Sequence, residues 1–163
     1  MGVSQKAIVS REEIFKLIPQ RAPFVFVDCY YGEVDGAYVT GFTPVAGTLF
    51  TEPVEGVCCA HRGANEELSV CLTEPGVIEN MAQSAAVVKG YQFVSRGESI
   101  PVGFIGAVSK FEITEFPVAG EEIRTHIRNL GEFGDISLIE AVLFCGQRRA
   151  ASAELKIFLQ KVV

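Results

Sequence analysis

One stretch only, residues 73–91, reads as a long and nearly apolar helix, running Thr73-Glu74-Pro75-Gly76-Val77-Ile78-Glu79-Asn80-Met81-Ala82-Gln83-Ser84-Ala85-Ala86-Val87-Val88-Lys89-Gly90-Tyr91. Thr73 is placed to cap this helix, Glu74 puts an acid in its first turn, and Pro75 is tolerated there because first-turn N–H groups lack intrahelical partners. Gly90 reads as its end. At about 100° per residue Met81, Ser84, Ala85, Val88 and Tyr91 cover a wide arc, while Glu79, Gln83, Ala86 and Gly90 fall in one narrow stripe. So apolar a helix is expected to be buried on most sides. A buried carboxylate is costly unless paired or neutralised, so Glu79 requires a partner or a task.

The flanking pattern has a different period. Ser10 followed by Glu13 forms a capping box ahead of a short amphipathic helix that Pro19 stops. An apolar run, Phe24 to Val27, leads into two β-rich segments around Asp35-Gly36, a hairpin signal. Between Pro44 and Leu72 periodicity fails, and Gly47, Pro53, Gly56 and Gly63 punctuate a segment whose length without structure is unusual in a compact domain. After the helix, residues 100–113, 121–130, 137–145 and 150–159 read as strands, the second alternating Ile123, Thr125 and Ile127 against Arg124, His126 and Arg128. One buried helix with five or six antiparallel strands predicts an α+β fold in which the sheet curls around the helix.

Composition narrows the function. The 163 residues suit one domain spanning 1–163, and 48% hydrophobic residues can build a sizeable core. A formal charge of −6 with scattered Lys and Arg argues against a nucleic-acid partner. No apolar run approaches the ~18 residues of a membrane span and no secretory signal is readable, so a cytoplasmic protein without a membrane partner is expected. Cys29, Cys58, Cys59, Cys71 and Cys145 lack metal-ligand spacing and read as reduced, small apolar side chains. His61 and His126 are the only histidines and form no ligand array, so neither metal nor cofactor is expected.

Three motifs carry a family resemblance. Leu17-Ile18-Pro19-Gln20-Arg21-Ala22-Pro23-Phe24-Val25-Phe26-Val27-Asp28 is similar to the L-P-H-R-x-P-F-L-L-V-D opening of the hotdog-fold β-hydroxyacyl-acyl carrier protein dehydratases. Glu79-Asn80-Met81-Ala82-Gln83 resembles their E-A-x-A-Q helix. Gly103 to Phe111, followed by Pro117-Val118-Ala119-Gly120-Glu121-Glu122-Ile123, resembles their F-x-G-I-x-x-x-(K/R)-F and P-V-x-P-G-D-x-L segments. The resemblance implies a hotdog fold, a homodimer or higher oligomer, and an acyl thioester of acyl carrier protein or CoA as substrate. It departs in one place: the family's G-H-F-P-G histidine motif is absent, and Gln20 replaces the opening histidine. Counting back from Glu79 by the family spacing lands on Asn65, and counting forward from residues 39–43 lands near Thr51 or Glu52. His61 lies between them, followed by Arg62-Gly63.

In the family, histidine and the helix carboxylate come from opposite subunits and supply the base for the C2 proton and the acid for the departing hydroxyl. A backbone N–H near the helix start polarises the thioester carbonyl. The resemblance therefore assigns Glu79 and His61 as catalytic residues. Gly76 or Val77 N–H becomes the carbonyl donor, Gln83 orients Glu79, and Gly103, Phe104 and Gly106 border the acyl site. The bland readings are a paired structural acid for Glu79 and a solvated loop imidazole for His61. Three functions fit, in descending order: a dehydratase of fatty-acid or polyene type, active or impaired; a hotdog thioesterase using Glu79 as base or nucleophile; and a non-catalytic acyl-binding or partner subunit.

Overall fold

A computed structural model describes residues 5–55 and 68–160. The architecture is α+β: one long helix, α1 (Glu74–Ser95), packs against a large antiparallel sheet. The strands are β1 (Cys29–Val34), β2 (Ala37–Phe42), β3 (Thr51–Val54), β4 (Ser69–Leu72), β5 (Val102–Ile113), β6 (Ile123–Phe133), β7 (Ile136–Cys145) and β8 (Arg148–Gln160). Six of them form one sheet in the order β1-β2-β6-β7-β8-β5, and β3 pairs with β4 in a separate two-stranded ladder.

The turns follow from their residues. Asp35 and Gly36 both take positive φ, 51° and 75°, the geometry of the tight hairpin turn that matches strand twist. Gly134 and Gly146 likewise take φ of 63° and 61° between β6, β7 and β8. Between Ser10 and Pro19 only one 3-10 turn forms, Ile14–Lys16, because a segment this short cannot nucleate an α-helix. Ser10 N–H and hydroxyl still donate to the Glu13 carboxylate, both at 3.4 Å.

The helix runs past Gly90, against the expected stop. Gly90 is there for contact: a Cβ would sit 2.7 Å from the Leu17 carbonyl oxygen, so glycine lets residues 17–20 lie directly on the helix. The end comes at Ser95, where Gly97 takes the left-handed conformation (φ 72°) and its N–H donates to Val94 O. Thr73 precedes the first turn but does not cap it; its hydroxyl donates to Phe50 O at 3.0 Å instead.

Burial on most sides of α1 would strand its polar side chains, and each is matched. Asn80 donates to Phe26 O (2.7 Å) and accepts from the Thr125 hydroxyl (2.6 Å), while Ser84 accepts from the Thr40 hydroxyl (2.7 Å). These bonds tie the helix to the chain entering β1, to β2 and to β6.

Two further expectations are corrected. The stretch from 44 to 72 contains strand structure: β3 pairs with β4, and Leu72 N–H donates to Pro117 O while Ala119 N–H donates to Val70 O. Local periodicity could not reveal it, because strands this short are specified by their pairing. Cys29 is a free thiol, but Cys145 is disulfide-bonded, so the cysteines are not uniformly reduced. Sequence spacing carries no information about which sulfurs meet in space.

Candidate active site

Residues three and four apart on α1 share a face, and Glu79, Ala82, Gln83, Ala86 and Gly90 line one wall of a cavity of about 420 Å³. The small side chains at 82, 86 and 90 leave room that larger ones would fill. Residues 17–20 form a second wall and Val102, Gly103 and Ile105 of β5 contribute a third, with Ile157 and Leu159 of β8 beside them. The volume falls in the range of small-molecule sites, and the lining is largely aliphatic with a few polar groups.

Glu79 is partly buried on this wall. Its Oε1 accepts a hydrogen bond from Gln83 Nε2 at 2.8 Å, one helical turn on. Gln83 is itself fixed: Nε2 also donates to Phe24 O and Oε1 accepts from Phe26 N–H, both at 2.7 Å. Among the described residues no other group bonds to the Glu79 carboxylate. An acid held by a fully committed amide, with its remaining bonding capacity free, is suited to meeting a ligand in the cavity.

The other residues singled out from the sequence are distributed unevenly. Gly76 is buried at the helix start, where a Cβ would lie 2.3 Å from Leu72 Cδ1 and 3.0 Å from Phe50 Cβ. Val77 is fully buried and its N–H already donates to Thr73 O at 3.0 Å, which leaves Gly76 N–H as the better carbonyl donor of the pair. Neither lines the cavity. Gly103 does, whereas Phe104 sits on edge strand β5 with 53% of its surface exposed and Gly106 occupies a bulge against the Phe158 ring. His61 lies outside the described residues. The His126 ring packs tilted against that of Phe144, centroids 4.7 Å apart; burial, then Arg128 and Arg124, push its pKa down, consistent with a structural residue.

The stripe of Glu79, Gln83, Ala86 and Gly90 was legible from helical spacing alone. Gln20 and Ile157 were not singled out as cavity residues, because the seating of residues 17–20 on Gly90 and the pairing of β5 with β8 bring them there, and Lys89 joins them from α1 itself. Lys89 is ion-paired with Glu132, whose carboxyl it holds below the usual range.

Comparison with known proteins identifies the fold and the family. A 3-hydroxyacyl-[acyl-carrier-protein] dehydratase FabZ of Pediococcus pentosaceus is 24% identical over 156 residues, covering 91% of each chain. Among solved structures, a chain of the dehydratase heterocomplex ApeI:P from Xenorhabdus doucetiae superposes with a TM-score of 0.67 at 15% identity, again over 91% of each chain. A hypothetical thioesterase from Streptococcus pneumoniae, solved with coenzyme A, matches at a TM-score of 0.52 and 11% identity, over 80% of this chain and 84% of its own. Those structural likenesses define the fold, which is the hotdog. The model of the ApeP-like family, described as ApeP dehydratase, matches residues 12–162, and this chain therefore belongs to that family of dehydratase-like hotdog proteins.

Proposed function

We propose that this chain is an active 3-hydroxyacyl-thioester dehydratase, acting on an acyl group carried by acyl carrier protein or CoA in fatty-acid or polyene-type metabolism. The observation that carries the reading is Glu79, held by Gln83 on the wall of a largely aliphatic cavity. The acyl chain lies along the Ala82, Ala86 and Gly90 face of α1, with Gly103 across from it. Gly76 N–H polarises the thioester carbonyl, His61 takes the C2 proton, and Glu79 delivers a proton to the C3 hydroxyl as it leaves as water. The base takes one proton and the acid gives one, so the step is balanced, and exchange with solvent resets both groups.

The unit is one hotdog domain spanning the chain, and two copies join through β5. That strand is at the sheet edge, and Val102, Phe104, Ile105 and Val108 are all exposed on it. The first seven residues of this twelve-residue edge strand, Val102 to Val108, carry no polar side chain, and such an edge left in water invites pairing with another strand. In this dimer His61 serves the partner's Glu79, while Phe104 and Gly106 belong to the joined edge. The proposed setting is the cytoplasm; among the described residues no helix is long and apolar enough to cross a membrane.

Mass spectrometry of a 3-hydroxyacyl thioester incubated with the protein tests the assignment. The expected product is the enoyl thioester, lighter by one water; release of free acid would identify a thioesterase, and an unchanged substrate a binding subunit.

A further inference from the structure

Two cavities meet at Lys89. The larger, of about 420 Å³, holds Glu79; beside it lies a second of about 60 Å³, lined by α1 on one side and by Tyr38 of β2, Ile127 of β6 and Ile139 of β7 on the other. Among the described residues the two have Ala85 and Lys89 in common. Ala85 offers only a methyl group, so Lys89 is the shared side chain with the bulk to hold the cavities apart. The residue is fixed at its tip. Its Nζ pairs with Glu132, whose Oε1 also accepts from Asn129 Nδ2 at 3.1 Å, while Asn129 Oδ1 accepts from Gly131 N–H at 2.9 Å. The side chain as a whole is 15% exposed. A lysine anchored by its ammonium lays its hydrocarbon stem along the apolar surface beneath it.

Lys89 stands about 15 Å beyond Glu79 along the helix axis, at 1.5 Å per residue. With the thioester at the helix start and C3 at Glu79, the tail of an acyl chain runs past Ala82 and Ala86 toward it. We propose that Lys89 is a specificity-determining residue: its pinned stem closes the acyl site at this end and limits the length of chain that the site accepts. This rests on the dehydratase reading above and adds to it a length limit. Removing the stem joins the smaller cavity to the larger. Its 60 Å³ is about two water volumes at ~30 Å³ each, room for about two more methylenes, and the space left by the stem adds to it.

The test measures, by calorimetry, binding of straight-chain saturated acyl-CoAs lengthened two carbons at a time to the full native chain, to Lys89→Ala and to Lys89→Met. In the native chain affinity should rise about fourfold for each methylene buried, then stop rising once the tail meets Lys89. Lys89→Ala should move that limit up by about two to four carbons and leave shorter chains binding as before. Alanine is the best helix former, so α1 is retained in this variant. Lys89→Met keeps an unbranched stem, held in the apolar wall by its own burial, and should keep the native limit. An unmoved limit in Lys89→Ala, an equal move in Lys89→Met, uniform weakening of all lengths in Lys89→Ala, or native affinity that climbs without a limit would overturn the proposal and leave the acyl site standing. Failure of every acyl-CoA to bind the native chain would instead remove the acyl-thioester reading, and this assignment with it.

Discussion

Glu79→Gln is expected to lower kcat on a 3-hydroxyacyl thioester by about 10²–10⁴, the range for loss of a positioned acid or base, with the fold intact. The substituted amide keeps a bonding atom for Gln83 Nε2, so the contact that orients residue 79 survives while the transferable proton is lost. His61→Ala should cause a loss of the same order, since no other histidine lies between β2 and α1. If the two groups act across a subunit interface, mixing the variants under exchange conditions should restore part of the activity, because each heterodimer contains one site with both residues native. Full activity of Glu79→Gln on a 3-hydroxyacyl thioester would reduce that residue to a structural role, and the absence of rescue would place both groups in one subunit.

Asn80→Ala should be the most damaging single change to stability among the helix residues described above. Asn80 is 1% exposed and joins two other groups, donating to Phe26 O and accepting from Thr125 Oγ1. Truncation strands both, at about 1–3 kcal/mol each, for an expected loss of about 2–6 kcal/mol against a typical total of 5–15 kcal/mol. Urea unfolding checks this as a fall in midpoint with unchanged slope. Restoring apolar volume alone, with Asn80→Leu, should not recover the loss, because the orphaned carbonyl and hydroxyl remain. A change under about 1 kcal/mol would show that water satisfies those groups at little cost.

The elements legible in the sequence were those specified locally. The Asp35-Gly36 hairpin needed only its two turn residues, and α1 needed only its long run of apolar and small residues and its acidic, proline-containing first turn. What failed was specified at a distance. Gly90 reads as a stop until Leu17 is known to press against it, and Thr73 reads as a cap until Phe50 O is found to take its hydroxyl. The strands β3 and β4 lack a clear period of their own and exist because they pair with each other and abut residues 117–119. The same division runs through the site. Glu79 and Gln83 follow from one helical turn, but Gln20, Ile157 and Leu159 join them only through the packing of residues 17–20 and the register of β5 on β8.

The central claim is proton removal at C2 coupled to loss of the C3 hydroxyl, and the reverse reaction in heavy water reads it directly. The protein is incubated with a 2-enoyl thioester in heavy water and the products are resolved by mass spectrometry and proton NMR. The account predicts a 3-hydroxyacyl thioester carrying deuterium at C2, formed by the native chain and lost in Glu79→Gln. Recovery of free acid, or of unreacted enoyl thioester without C2 label, would contradict it.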